Sequence, residues 1–418
     1  MHRRVERRRE EPAAGERATG ADDWARDYVL LTLRIGKAVE ARTGDGWMLD
    51  YYGPTEWKAL VDAEEPRSGE ELVDAAHATE ETLPHQAFEV RRARYLGKLL
   101  RALRTAARRL TGERISLEEQ AAACFDLDVG PVAEERFEEA GNLLDQALPG
   151  RGDVRERLDA WKRRHELPPG NAHLLPALFE RAILEARRRT DDLVGLPEGE
   201  EVSFGALDGG PFLALAEYRG GLRSRVLVNT GRPFNIADLL YIACHEAYPG
   251  HLAEIVLKEK LLARDRGYAE ELVSFLPTPR FVVSEGLALW ARDVVFPAGE
   301  QQTWLEEHAY PEAGIEPDGD VGRIHTARDL LWGAQCNAAL MLDEGRSEEE
   351  VDPYLERRAL MNEVEARRTL PSLRRPFAEA YIFCYDQGRK LLEPGMRGPD
   401  RRSFVVRLLT EQTCPSDL

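Results

Sequence analysis

Apolar positions recur at helical spacing along most of this chain, beginning with Trp24, Tyr28, Leu31 and Ile35. Ser68-Gly69-Glu70-Glu71 and Ser116-Leu117-Glu118-Glu119 have the form of capping boxes. Pro131 suits the first turn of a helix running to about Ala147, and Asn171 the start of one over 172–192. A further helix is predicted at about 153–166. The period changes between Gly195 and Thr230. Val202–Phe204, Phe212–Tyr218 and Arg223–Asn229 read as short strands, with Gly209-Gly210 and Gly220-Gly221 as the turns between them. In the last strand Arg223, Arg225, Leu227 and Asn229 alternate with Val226 and Val228, which predicts one wet and one buried face. Helical spacing then returns at Asn235–Glu254, Ser284–Trp290, Val321–Leu342, a segment opening at Ser347, and Phe377–Leu392. No repeat of 20–50 residues is present, so a solenoid is not indicated.

Asn235–Glu254 carries the chemistry. It presents His245, Glu246 and His251 within seven positions, and Glu285 follows in a second apolar helix. Neutral imidazoles bind zinc through nitrogen, a carboxylate gives an anionic third ligand, and an open fourth position takes water. His245, His251 and Glu285 are therefore the candidate ligands of one Zn2+ per chain, and Glu246 the candidate general base. The spacing is unusual. Ligand histidines at i and i+4 lie about 40° apart on a helix, whereas i and i+6 lie about 120° apart. Pro249 and Gly250 fall inside the gap. Proline removes an N–H and crowds the preceding carbonyls, so the pair predicts a bulge that absorbs two residues and returns His251 to the His245 face. Two imidazoles and a carboxylate also accept cobalt or manganese.

Other candidates lie downstream. Arg328 is placed to clamp a substrate carboxylate and His325 to hydrogen-bond a developing oxyanion. Tyr381 and Tyr385 share a helix face, and a phenol near the zinc is a candidate oxyanion stabiliser.

His245-Glu246-Ala247-Tyr248-Pro249-Gly250-His251 resembles the H-E-x-x-P-G-H signature of the domain-of-unknown-function 885 family. Ser284–Trp290 is similar to that family's E-G-W-A-L-Y stretch, and Tyr385-Asp386-Gln387-Gly388 to its Y-x-x-G helix, a resemblance that makes Tyr385 the preferred oxyanion stabiliser of the two tyrosines. Leu252 and Leu287 stand where the family often has His and Trp; neither change removes a candidate ligand. The family resembles carboxypeptidase Taq and other gluzincins. The resemblance implies a mainly α, zincin-like architecture with a small antiparallel sheet beside the active-site helix, a deep cleft, and a zinc peptidase-like hydrolase.

Composition narrows the classes. The 418 residues carry a formal net charge of −18, which argues against a general nucleic-acid binder. Residues 1–20 alternate Arg and Glu among Pro, Ala and Gly and read as a disordered tail. Residues 21–418 read as one unit, with a helical half (21–194) and a catalytic half (195–418). The five scattered cysteines form no C-x-x-C pair. Neither a secretory signal nor a membrane span is evident, so the expected location is cytoplasmic and no membrane partner is expected. The expected substrate is a peptide or small amide. Two alternatives are a zinc hydrolase of another amide or ester, and a catalytically silent peptide- or protein-binding protein.

Overall fold

The computed structural model describes residues 23–418 apart from 211 and 298. The tail expected at 1–20 lies outside the described residues. The chain is mainly helical. The helices that build and support the candidate site are α1 (Asp23–Thr43), α2 (Gly69–Thr82), α3 (Val90–Leu110), α4 (Glu135–Ala147), α5 (Leu175–Val194), α6 (Leu239–Glu246), α7 (His251–Lys258), α8 (Arg280–Val295), α9 (Val321–Leu330), α10 (Trp332–Asp343) and α11 (Phe383–Arg397). Strands β1 (Leu49–Tyr51), β2 (Glu201–Leu207), β3 (Ala214–Tyr218), β4 (Arg223–Asn229) and β5 (Val273–Phe275) form two small sheets. No described helix is long and apolar enough to cross a membrane.

Local signals set many boundaries. The Ser68 side chain accepts from Glu71 N at 3.2 Å while Glu71 Oε2 accepts from Ser68 N at 2.8 Å, a complete capping box for α2. Asn171 is not a cap. It sits in a 3-10 turn, Pro169–Leu174, and α5 starts at Leu175 with Pro176 in its first turn. The helix expected over 321–342 is two, α9 and α10, with Leu331 between them still in a helical conformation.

Two apolar cores result. The stripe Tyr95, Leu96, Leu99, Leu100, Leu103 of α3 packs with α1, α2 and the β1–β5 sheet. The larger core gathers α4 to α11 and the β2–β4 sheet, with Ala102 of α3 also in it. Phe281 and Tyr381 pack against both. The smaller core also takes in Ala269, Val273, Phe275, Leu276 and Cys414 from late in the chain, and the larger one takes in residues from Leu117 to Ala186.

The expected antiparallel hairpin is present: β3 pairs with β4, from Ala214 opposite Val228 to Tyr218 opposite Ser224. Gly220 and Gly221 turn it, with φ +74° and +69°. The departure is β2. It does not pair with β3 across Gly209-Gly210 but joins the far side of β4 in parallel, Glu201 beside Arg223 through Leu207 beside Asn229. Buried Asn229 makes that crossing possible, because its Nδ2 donates to Phe212 O at 2.8 Å and Gly209 O at 3.0 Å, tying down the connection. The wet-and-dry alternation of β4 holds for Arg223 to Val228 and ends at Asn229. β3 is an edge strand that packs against both α6 and α7.

Candidate metal centre

The helix leading to His245 is fixed by its apolar face. Leu239, Leu240, Ala243 and Cys244 are buried, and Asn235 accepts a hydrogen bond from Ala237 N at 2.8 Å ahead of the helix. α6 ends at Glu246. Gly250 N then reaches back to Cys244 O at 3.0 Å, and Ala253 N to Ala247 O at 3.0 Å. Both bonds span six residues where a helix spans four, so two residues are looped out. Tyr248 fills the loop: it is fully buried, and its hydroxyl donates to Glu200, a carboxylate that Arg187 Nε also holds at 2.7 Å. Pro249 follows a cis peptide bond. The outcome is the predicted return. The His245 and His251 rings stand 4.8 Å apart and nearly perpendicular, at 88°.

Gly250 is what allows the loop to close. A Cβ there would lie 1.9 Å from His245 O and 2.4 Å from Cys244 O. Both are backbone atoms that no rotamer change can move. Gly250→Ala is therefore expected to force the two helices apart, at a cost of about 3 kcal/mol or more. Metal content measured beside far-UV circular dichroism checks this: helicity should survive and bound metal should not.

Glu285 arrives from α8. His245 Nε2 lies 3.3 Å from Glu285 Oε2, and His251 Nε2 lies 3.6 Å from Glu285 Oε1. The three donor atoms all fall within 4.8 Å of one another. Tetrahedral zinc with bonds of about 2.0–2.1 Å separates its ligand atoms by about 3.3–3.4 Å, so the carboxylate–imidazole spacings suit a divalent ion. Glu285 Oε2 is also buried without a hydrogen-bond partner, an acceptor 3.3 Å from His245 Nε2. The residues present fit such an ion. The histidine side chains keep 15 % and 20 % exposure against 5 % for Glu285, so solvent reaches the group from the imidazole side.

Electrostatics reinforce the grouping. Burial favours the neutral acid at Glu285, but the nearby imidazoles and the Tyr381 hydroxyl outweigh it and hold the carboxyl below its usual range. Burial opposes protonation of His245, and Glu285, with Glu246 and Asp329 behind it, raises that pKa nonetheless. Glu246 itself makes no hydrogen bond or ion pair among the described residues, although it lies close enough for its charge to act on His245 and Tyr385.

The tyrosines divide differently from the expectation. Tyr381, the less favoured of the two, donates to Glu285 Oε1. Tyr385 makes no hydrogen bond among the described residues. It stacks on Trp332, with centroids 4.4 Å apart and planes at 14°. Tyr385 is carried on α11 and Tyr381 on the 3-10 turn Glu379–Ile382 just before it, and α11 crosses α8 at glycines. A Cβ on Gly286 would meet Gly388 C at 2.5 Å, and one on Gly388 would meet Val282 O at 2.2 Å. The backbones touch there, one residue beyond Glu285 and one turn beyond Tyr385.

His325 does not fit its expected role. It is 1 % exposed and both ring nitrogens are used. Arg292 Nη1 donates to Nδ1 at 2.7 Å, which leaves Nε2–H to donate to Asp238 Oδ1 at 2.8 Å. A histidine so enclosed has no free N–H for an oxyanion; it ties α9 to α8 and to the turn Ile236–Asp238 before α6. Arg328 shares Asp238, with Nη1 at 2.6 Å, and keeps 32 % of its side chain exposed.

Three residues escaped the sequence reading. His251 Nδ1 lies 3.0 Å from Ser284 Oγ, Ser284 Oγ donates to Glu254 Oε2 at 2.5 Å, and Lys258 Nζ donates to Glu254 Oε1 at 2.6 Å. Glu254 and Lys258 are 2 % and 3 % exposed. Their signal was the position, three and seven residues after His251 and thus on its helix face.

No family model and no curated protein matches the sequence. Solved structures are similar. A protein designated a lipoprotein, from Colwellia psychrerythraea, aligns with TM-score 0.53 at 14% identity, over 84% of this chain and 66% of its own. This chain thus spans just under two thirds of that protein, and the likeness is one of fold. A second protein so designated, from Shewanella oneidensis, aligns with TM-score 0.47 at 13% identity over 84% and 71%. An M32 carboxypeptidase from Deinococcus radiodurans R1 aligns with TM-score 0.38 at 12% identity over 93% and 89%.

Proposed function

We propose that this protein is a zinc-dependent hydrolase of peptide bonds, with His245, His251 and Glu285 as the metal ligands and Glu246 as the general base. One observation carries the reading: a two-residue loop-out brings two histidines together against a buried carboxylate that has an unpartnered oxygen. A bound zinc ion supplies Lewis acidity and acidifies a water molecule. The protein's own groups do the rest. Glu246, in no hydrogen bond or ion pair among the described residues, accepts a proton and returns it to the leaving amine. Tyr381 steadies Glu285. Tyr385, beside Glu246 with its hydroxyl unengaged, donates a hydrogen bond to negative charge developing on the substrate. Arg328, anchored by Asp238 on one side only, orients a substrate carboxylate, which supports a carboxypeptidase-like preference. The acidic composition and five buried, unpaired cysteines support a cytoplasmic location.

Elemental analysis tests the metal assignment. Wild type purified without added metal is expected to hold about one zinc per chain, and His251→Ala little. Equal zinc in both would put the second ligand elsewhere. Incubating the zinc-loaded protein with peptides carrying free or amidated C-termini, beside small amides and esters, then tests the substrate class. Cleavage of the free-carboxylate peptides in preference to the rest is the expected result.

A further inference from the structure

The metal reading accounts for His245, His251, Glu285 and Glu246. It leaves unexplained a buried lysine–glutamate pair on the metal helix. Glu254 and Lys258 lie on the His251 face of α7, almost without solvent, and their ion pair continues through Ser284 to the His251 ring. Desolvating two charges costs several kcal/mol, and an apolar pair of similar volume is commonly as stable or more so. Stability alone is thus a weak reason for such a pair beside a ligand.

The direction of each hydrogen bond is fixed by the chemistry of the groups. A lysine ammonium only donates, so Glu254 Oε1 accepts from Lys258. An ionised carboxylate only accepts, so Glu254 Oε2 takes the Ser284 hydroxyl proton. Ser284 is left with lone pairs toward His251 Nδ1, which must then carry a hydrogen. In a neutral ring that leaves Nε2 with its lone pair, and Nε2 is the atom 3.6 Å from Glu285 Oε1. Arg280 adds a further positive charge near Glu254, and together with Lys258 and Ser284 it outweighs burial to keep that carboxyl below its usual range.

We infer that Lys258, Glu254 and Ser284 are positioning residues that set the His251 tautomer, so that Nε2 is the nitrogen offered to a metal. The inference rests on the metal reading for its purpose. Its geometry stands on protein groups alone.

Glu254→Gln reverses the relay without changing its shape. Lys258 still demands an oxygen, so the amide turns its NH2 toward Ser284, and the serine hydroxyl then donates to His251 Nδ1. The proton on the ring is expected to move to Nε2. Adding Lys258→Met frees the amide to present its oxygen to Ser284 again, and the original tautomer should return. Two readouts apply. Nitrogen-15 NMR of histidine-labelled, metal-free protein, at a pH where the ring is neutral, should place the His251 proton on Nδ1 in wild type, Nε2 in E254Q and Nδ1 in the double variant. Zinc affinity by competition with a chromogenic chelator should fall roughly 10–100-fold in E254Q and recover largely in E254Q/K258M. Recovery on removing a second buried residue is not what a merely structural pair would give. Should E254Q not fold, Ser284→Ala keeps the test, with an expected loss of roughly ten-fold in zinc affinity. A wild-type proton on Nε2, equal losses in the single and double variants, or unchanged affinity in S284A would overturn the inference. Wild type that shows the stated tautomers yet binds no zinc supports the relay and overturns the metal reading instead.

Discussion

Replacing Glu246 by glutamine is expected to cut peptide hydrolysis by orders of magnitude while zinc stays bound at the wild-type level. The carboxylate holds no other residue: it enters no hydrogen bond or ion pair among the described residues, so an isosteric amide removes basicity and little else. General acid–base groups contribute about 10²–10⁴-fold, and the loss in kcat should fall in that range. Glu285→Ala is the contrast. Glu285 is buried among His245, His251 and Tyr381, so its removal should empty the site and leave two imidazoles without their anion. Comparing kcat and metal content for the two variants separates a base from a ligand. Full activity in E246Q would remove Glu246 from the mechanism, and full zinc occupancy in E285A would remove Glu285 from the ligand set.

Gly388→Ala is expected to be strongly destabilising. The new methyl would stand 2.2 Å from Val282 O and 3.0 Å from Gly286 N, both backbone of α8. Neither can rotate aside, so the helices must separate, at a cost of about 3 kcal/mol or at the upper end of overpacking penalties. Separation also draws Tyr381 away from Glu285, so metal affinity should fall along with the unfolding midpoint. Gly141→Ala in α4 is the control. Nothing lies within 4 Å of a Cβ there, and alanine in place of a helical glycine should stabilise by up to about 1 kcal/mol. Thermal unfolding of the two variants should therefore shift in opposite directions. A neutral G388A would mean that the two helices are not held in backbone contact.

What could be read in the chain was local. Helical spacing, the Ser68 cap and the Gly220-Gly221 turn act over a few residues, and the structure keeps them. The Pro-Gly insert was legible for the same reason: His245 and His251 could face one metal only if two residues left the helix between them. Pairings across long separations were not legible. Nothing near Glu201 says that β2 will lie parallel to β4 and skip β3. The tyrosines could not be ranked, because Tyr381 and Tyr385 have equal claims on one face until α8 is placed against them. His325 looked available, and only the folded chain shows Arg292 and Asp238 at its two nitrogens. Glu254 and Lys258, spaced as a helical ion pair, look like a solvated face, and burial alone reveals the relay.

The crossing of Gly286 on Gly388 also bears on how the protein is made. His245, His251 and Glu285 have all been synthesised about a hundred residues before Tyr381 and α11, which needs roughly 5–20 s of translation. Until α11 docks, the backbone surface around Gly286 is bare and Glu285 lacks its tyrosine. A nascent chain halted before α11 would carry every ligand and still present an unfinished centre. The contact between the two glycines thus makes completion of the candidate centre wait for one of the last segments of the chain to be made.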